Sequence, residues 1–273
     1  MDIALLPVQY EETTSAMRGC VRGPEAILAS MHELDKGGDA LADKISKHCH
    51  IEIDNSFDRP FTSFDEMNEQ LYRRINVHLA AGRLPVTLGG EHTVTFSAFR
   101  AVLEHAGTLH MVQCDAHSDL RSAYEGTPWS HASAMRRVVE LGAGRLVACG
   151  IRSQCIEDAA CTKAPGVTII PAKEVNDAGI QDYRILSGLS GPVYLTIDMD
   201  FFDPSEAPGV GTPEPGGVTY IRGLSLIRQI VSTLKVVSFD IVELMPLPGR
   251  PHTEALAARL FYEILDAFLS CPA

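Results

Sequence analysis

Asp115-Ala116-His117-Ser118-Asp119 follows the apolar run Leu109–Cys114, and Asp198-Met199-Asp200-Phe201-Phe202-Asp203 follows the apolar run Val193–Ile197. Both runs read as strands, so both acidic stretches sit at predicted strand ends. In an extended segment, side chains two apart point the same way. If the chain stays extended, Asp115, His117 and Asp119 share one face, and Asp198 and Asp200 share another. Converging carboxylates repel unless a cation lies between them. The two stretches therefore read as a metal site, with more carboxylates than one ion needs. Two ions are the natural expectation.

Outward from these stretches, strand-like and helix-like segments alternate. Apolar runs recur at Ile3–Leu6, Ile51–Ile53, Leu84–Leu88, Leu109–Cys114, Leu146–Cys149, Val167–Ile170, Val193–Ile197 and Val236–Ile241. Helical patterns are predicted at Pro24–Leu34, Phe64–Ala81, Thr93–Glu104, Ala132–Leu141, Tyr220–Leu234 and Thr253–Leu269. In the last, Leu256, Leu260, Ile264, Leu265 and Phe268 recur at about helical period. Such alternation predicts an α/β protein with parallel strands covered by helices. Eight runs allow either an open sheet or a closed barrel. No repeat or low-complexity linker divides the 273 residues, so one domain over 1–273 is expected. The Pro- and Gly-rich stretch Asp203–Gly217 reads as a long ordered loop. Gly89-Gly90-Glu91-His92, Asp115, Asp198 and Glu243 each follow a different predicted strand. Open sheets and barrels both carry their sites at that end.

Composition narrows the function classes. A hydrophobic fraction of 45% suits a substantial core, and a formal charge of -12 argues against nucleic acid as a partner. Seven cysteines, an odd number without a close CxxC pair, fit a reducing cytoplasm better than a disulfide framework. Cys114 and Cys149 end apolar runs and read as small core residues. The chain starts with a strand-like run, Asp2–Leu6, without a basic region followed by a long apolar one, so no secretory signal is expected, and no apolar run approaches the ~20 residues of a membrane span. His48-Cys49-His50 precedes a run and reads as a solvated turn.

His92, Asp115, His117, Asp119, Asp198 and Asp200 amount to four carboxylates and two imidazoles. An oxygen-rich set with some nitrogen suits Mn²⁺ and similar ions, whereas zinc usually takes fewer ligands. Two ions roughly 3.5–4 Å apart could share bridging carboxylates and lower the pKa of a common water. Hydrolysis at a polar carbon or phosphorus is the implied chemistry. Any one of these residues alone reads as a turn former or helix cap. Six of them at three strand ends favour the joint reading.

These motifs resemble those of the ureohydrolases, the arginase and agmatinase family. The resemblance rests on Gly89-Gly90-Glu91-His92, Asp115-Ala116-His117-Ser118-Asp119 and Asp198-Met199-Asp200-Phe201-Phe202-Asp203-Pro204. It continues through Gly211-Thr212-Pro213-Glu214-Pro215-Gly216-Gly217 and Val242-Glu243. It implies a three-layer α/β/α fold around an eight-stranded, mainly parallel sheet, with two Mn²⁺ per chain and assembly as a homotrimer or homohexamer. By this resemblance, His92 and Asp119 hold the first ion, His117 and Asp200 hold the second, and Asp115 and Asp198 bridge them. Asp119 also orients the attacking hydroxide. His131, within Ser130-His131-Ala132-Ser133, carries protons, and Glu243 pairs with the substrate guanidinium. Read alone, His131 would be a neighbour of a Ser130 helix cap, and Glu243 a charged strand end.

Two positions depart from the family pattern. Glu91 stands where aspartate is common, and Met245 stands where a polar residue follows the guanidinium glutamate. The segment Leu120–Gly126 is unlike that of arginases, whereas Ser130–Arg137 and Gly150-Ile151-Arg152-Ser153 look like agmatinases. The implied reaction is hydrolysis of agmatine to putrescine and urea, a step of polyamine biosynthesis. The acidic loop Asp203–Glu214 is a candidate to hold the distal ammonium. Arg121 keeps carboxylate-bearing substrates such as arginine or guanidinobutyrate in play, alongside aminopropylagmatine. A catalytically silent metal-binding scaffold is the alternative of a different class.

Overall fold

The computed structural model describes residues 1–57, 59–155, 161–177, 186 and 188–271. Eight strands form one sheet: β1 (Asp2–Val8), β2 (His50–Ile53), β3 (Leu84–Gly89), β4 (His110–Cys114), β5 (Leu146–Ile151), β6 (Val167–Pro171), β7 (Pro192–Asp198) and β8 (Lys235–Val242). Their order is β2-β1-β3-β8-β7-β4-β5-β6, and every pairing is parallel. The sheet has two free edges, β2 and β6, so of the two architectures the open sheet is the one formed.

Strand periodicity explains the layers. Successive side chains of β1 alternate between two apolar clusters: Ile3 and Leu5 join one, Ala4 and Leu6 the other. Both faces must therefore be covered by helices, as in other parallel sheets. One layer holds α1 (Gly23–Lys36), α2 (Ala40–His48), α6 (Ala172–Asp177), α7 (Tyr220–Thr233) and α8 (His252–Ser270). The other holds α3 (Phe64–Ala80), α4 (Val94–Ala106) and α5 (Ala134–Leu141). Each buried Leu or Ile contributes about 1.5–3 kcal/mol, so these layers set the fold. Cys114 and Cys149 lie fully buried within the first, as core residues.

Three local readings change. Helix α2 is absent from the expected helices. Asp39 caps it, its side chain accepting from the backbone N–H groups of Leu41 (3.0 Å) and Ala42 (3.1 Å). His48-Cys49-His50 is then the junction between α2 and β2. Cys49 is buried there in the apolar layer and is not in a solvated turn. Helix α5 begins at Ala134, two residues later than expected, because His131–Ser133 forms a 3₁₀ turn. Among the described residues, no helix is long and apolar enough to cross a membrane.

The start of the segment after β3 is sterically determined. Gly90 N–H donates to the Val8 carbonyl (3.0 Å), and Glu91 N–H donates to the Tyr10 carbonyl (2.9 Å). A Cβ at Gly90 would fall 2.0 Å from that Tyr10 oxygen. Only glycine fits without moving β1 from β3. Gly90→Ala is expected to cost about 3 kcal/mol of stability. Calorimetry checks this; an unchanged melting temperature would contradict the steric argument.

Candidate metal centre

The four central strands, β3, β8, β7 and β4, are consecutive neighbours in the sheet. Their carboxyl ends carry His92, Glu243, Asp198 and Asp115 respectively. Parallel strands all end on the same side, so residues far apart in sequence meet there.

Around the buried His92 ring, three carboxylate oxygens approach Nδ1: Asp119 Oδ2 at 3.0 Å, Asp115 Oδ2 at 3.2 Å and Asp198 Oδ2 at 3.3 Å. None of them satisfies that nitrogen as a hydrogen-bond partner. Around His117, Nδ1 lies 2.9 Å from Asp200 Oδ2 and 3.7 Å from Asp115 Oδ1. Asp115 thus turns one oxygen to each histidine. Two ligand groups follow, His92–Asp115–Asp198 and Asp115–His117–Asp200, with Asp115 common to both. Asp119 joins the first through its 3.0 Å approach to His92. Asp198 falls only in the first group. Oxygen-rich sets sharing a carboxylate fit a pair of hard divalent cations.

The convergence is not achieved by an extended chain, as the sequence reading assumed. Asp200 lies in a 3₁₀ turn, Met199–Phe201, and Asp119 has a left-handed backbone with φ of 51°. The turns are held by the ligands themselves. Asp198 Oδ1 accepts from Asp200 N–H (2.8 Å), Asp115 Oδ1 from His117 N–H (2.6 Å) and Asp200 Oδ1 from Ala116 N–H (3.1 Å). The guanidinium of Arg152 donates to the carbonyls of Asp200 (2.7 Å) and Glu214 (2.8 Å), clamping the 3₁₀ turn to the long loop.

Several supporting residues carry little sequence signal. Gln113 Nε2 donates to Asp115 Oδ2 (2.7 Å), and Thr212 Oγ1 donates to Asp200 Oδ2 (3.0 Å). His92 Nε2 lies 2.9 Å from Thr196 Oγ1, whose hydroxyl donates to Asp240 Oδ1 (2.6 Å). Tyr194 and Thr95 hydroxyls donate to Asp240 Oδ2, each at 2.8 Å. Thr196 then accepts from His92 Nε2–H, which leaves the Nδ1 lone pair facing the carboxylates. Only strand alternation hints at this: Thr196 and Asp240 are polar residues inside apolar runs.

A cavity of about 240 Å³ opens over the cluster, lined among others by Asp119, His131, Glu243, Arg121 and Tyr124. Glu243 is buried with φ of 62°, and its Oε1 accepts from His92 N–H (2.8 Å). His131 is also buried, its Nε2 3.3 Å from Ser15 Oγ. Ser130 makes no helix-capping bond; its Oγ lies 3.4 Å from His131 Nδ1. Arg121 stacks its guanidinium on Tyr124 at 4.6 Å. Met245 lies outside the cavity, packed where a Cβ on Gly19 would meet it at 3.0 Å. The acidic loop does not supply the lining carboxylates expected of it. Asp203 accepts from Ser205, Gly216 and Gly217, and Glu206 accepts from Tyr220 N–H.

The Arginase family model matches residues 1–266. The chain belongs to the arginase family. It is therefore a guanidino ureohydrolase, a hydrolase acting on guanidino C–N bonds. It is 35% identical over 274 residues to an N(1)-aminopropylagmatine ureohydrolase of Synechocystis sp., covering 96% of this chain and 88% of that protein. It is 36% identical over 211 residues to an agmatinase of Bacillus anthracis, covering 74% and 69%. The solved agmatine ureohydrolase of Thermoplasma volcanium superposes with a TM-score of 0.85 at 30% identity, covering 98% and 89%. That fold likeness agrees with the eight-stranded α/β/α architecture.

Electrostatics match a site built around missing positive charge. Burial pushes the Asp115 carboxyl up to about 7, with Asp119 and Asp200 adding to it. Burial, then Asp200 and Asp115, raises Asp198 as well. Burial opposes the charged form of His117, but Asp200 and Asp115 outweigh it and lift the imidazole to about 10. Without a cation, protons offset the carboxylate charge. In metal-stripped protein, folded Asp115 keeps a proton that the unfolded chain has released. Stability is therefore expected to fall as pH rises from about 4 to about 7, and again toward 10 as His117 deprotonates. A divalent cation should raise the melting temperature most at the alkaline end. Calorimetry of stripped and loaded protein checks this; stripped protein that grows more stable across that window would refute it.

Proposed function

We propose that this chain hydrolyses agmatine to putrescine and urea with two Mn²⁺, held by His92, Asp115, His117, Asp119, Asp198 and Asp200. The observation that carries the metal reading is the buried His92 Nδ1, without a hydrogen-bond partner yet ringed by three carboxylate oxygens at 3.0–3.3 Å. Two divalent ions would supply the activated water of a hydrolase near neutral pH. Asp119, at the cavity wall, would orient that nucleophile. Glu243 would pair with the planar guanidinium in a fork. Burial, then the charge of Glu91, pushes the Glu243 carboxyl up, so a cationic guanidinium would be welcome there. His131 would carry a proton to the departing amine. The names of the agmatinase relatives support agmatine as substrate.

N(1)-aminopropylagmatine is the second reading, favoured by the Synechocystis relative that matches 96% of this chain. It carries the same guanidino group on a longer amine. Such a protein would act as one domain over 1–273. Seven cysteines without disulfides suit the cytoplasm, and the family resemblance suggests a homotrimer or homohexamer.

Urea release with Mn²⁺ from agmatine, N(1)-aminopropylagmatine, guanidinobutyrate and arginine separates the readings. kcat/KM for agmatine is expected to exceed that for arginine by at least about a hundredfold, because an α-carboxylate would be buried without adequate partners. Comparable values would overturn the agmatine reading, and release from none would leave a silent scaffold. Asp115→Ala removes the carboxylate common to both ligand groups and should lose both ions in metal analysis. His131→Ala should lose about 10²–10⁴-fold in kcat with metal content near normal.

A further inference from the structure

We propose that Glu91 is a positioning residue that decides, through Thr13, which ring nitrogen of His131 carries the proton. Glu91 is fully buried, and its carboxylate receives four donors. Oε2 accepts from the backbone N–H groups of Glu12 and Thr13, both at 2.7 Å. Oε1 accepts from the hydroxyls of Thr13 (2.8 Å) and Thr93 (2.5 Å). An ionised carboxylate only accepts, and a threonine hydroxyl has one hydrogen. Thr13 therefore spends its hydrogen on Glu91 and faces His131 as an acceptor.

The His131 side of the contact agrees. Its backbone N–H donates to Thr13 Oγ1 at 3.0 Å, and Nδ1 lies 3.3 Å from the same oxygen. Ser130 Oγ, 3.4 Å from Nδ1, can accept the same hydrogen. Neutral His131 then carries its hydrogen on Nδ1. Nε2 keeps its lone pair toward Ser15 Oγ and the cavity, where a proton must be taken up and delivered. Glu91 thus acts across 78 residues, tying the N-terminal segment to a histidine it does not touch. The catalytic consequence rests on the proposed role of His131; the tautomer itself does not.

Substitution gives the assignment a sharp test. A glutamine at 91 must turn its Oε1 to the two backbone N–H groups, which can only donate. Its amide nitrogen then donates to Thr13 Oγ1. Thr13 passes its own hydrogen to His131 Nδ1, and the ring proton moves to Nε2. Long-range ¹H–¹⁵N spectra of full-length, metal-stripped protein with labelled histidine, recorded across a pH series, report the protonated nitrogen of the neutral ring. His131→Ala identifies the signal.

Wild type is expected to show Nδ1–H and Glu91→Gln to show Nε2–H. Thr13→Val should show a mixture, and Thr13→Ser should restore the wild-type form. A wild-type tautomer in both Glu91→Gln and Thr13→Val would overturn the proposal. After Mn²⁺ loading, Glu91→Gln should lose at least about tenfold in kcat with little change in KM. An inverted tautomer with an unchanged rate would uphold the Glu91 relay and remove His131 from the reaction.

Discussion

Four buried carboxylates converge at the carboxyl edge of the sheet, and much of the molecule is arranged to withstand their repulsion. Asp115, Asp119, Asp198 and Asp200 are all buried, a state that ionised carboxylates tolerate only with compensating charge and hydrogen bonds. Two imidazoles and a set of backbone N–H groups supply part of that compensation. The remainder suits cations, and in their absence it falls to protons, as the raised Asp115 and Asp198 carboxyls indicate.

Holding such a cluster requires local conformations that unconstrained chains avoid. Only three described non-glycine residues have positive φ: Asp119, Glu125 and Glu243. Two of them line the cavity. A left-handed backbone costs of order 1–3 kcal/mol and persists only where surrounding contacts over-determine it. Glu243 meets that condition: its N–H donates to Gly90 O and its Oε1 accepts from His92 N–H, both at 2.8 Å. The neighbouring loops after β3 and β8 are thereby fastened to each other.

The same logic recurs at both buried histidines of the site. Each faces a threonine whose hydroxyl hydrogen is taken by a buried carboxylate: Thr196 with Asp240 behind His92, and Thr13 with Glu91 behind His131. A lone threonine could donate or accept, so it would not specify a tautomer. The buried carboxylate removes that freedom. In one case the outcome leaves a lone pair facing the ligand cluster, in the other a lone pair facing the cavity.

The sequence by itself determined the strands and their ends. All eight apolar runs are strands; the six inner ones are largely buried on both faces and so must be apolar throughout, while the edge strands β2 and β6 are only partly buried. His92, Asp115, Asp198 and Glu243 were legible because polar residues directly after such runs fall on one edge of any parallel sheet. Helix α2 was not read from the sequence, although Asp39 at its cap and the i,i+4 pair Leu41 and Ile45 mark it. The tertiary structure alone decided the rest. Strand order made β3, β8, β7 and β4 neighbours, and turns at Asp119 and Asp200, not extended alternation, brought the carboxylates together. It also withdrew Met245 and Asp203 from the cavity, brought in Ser15 from the N-terminal segment and set Thr13 against His131. Periodicity records which side of an element is buried. It carries no information about which distant hydroxyl will lie 3 Å from a given histidine, because that is fixed by how loops from different strands pack.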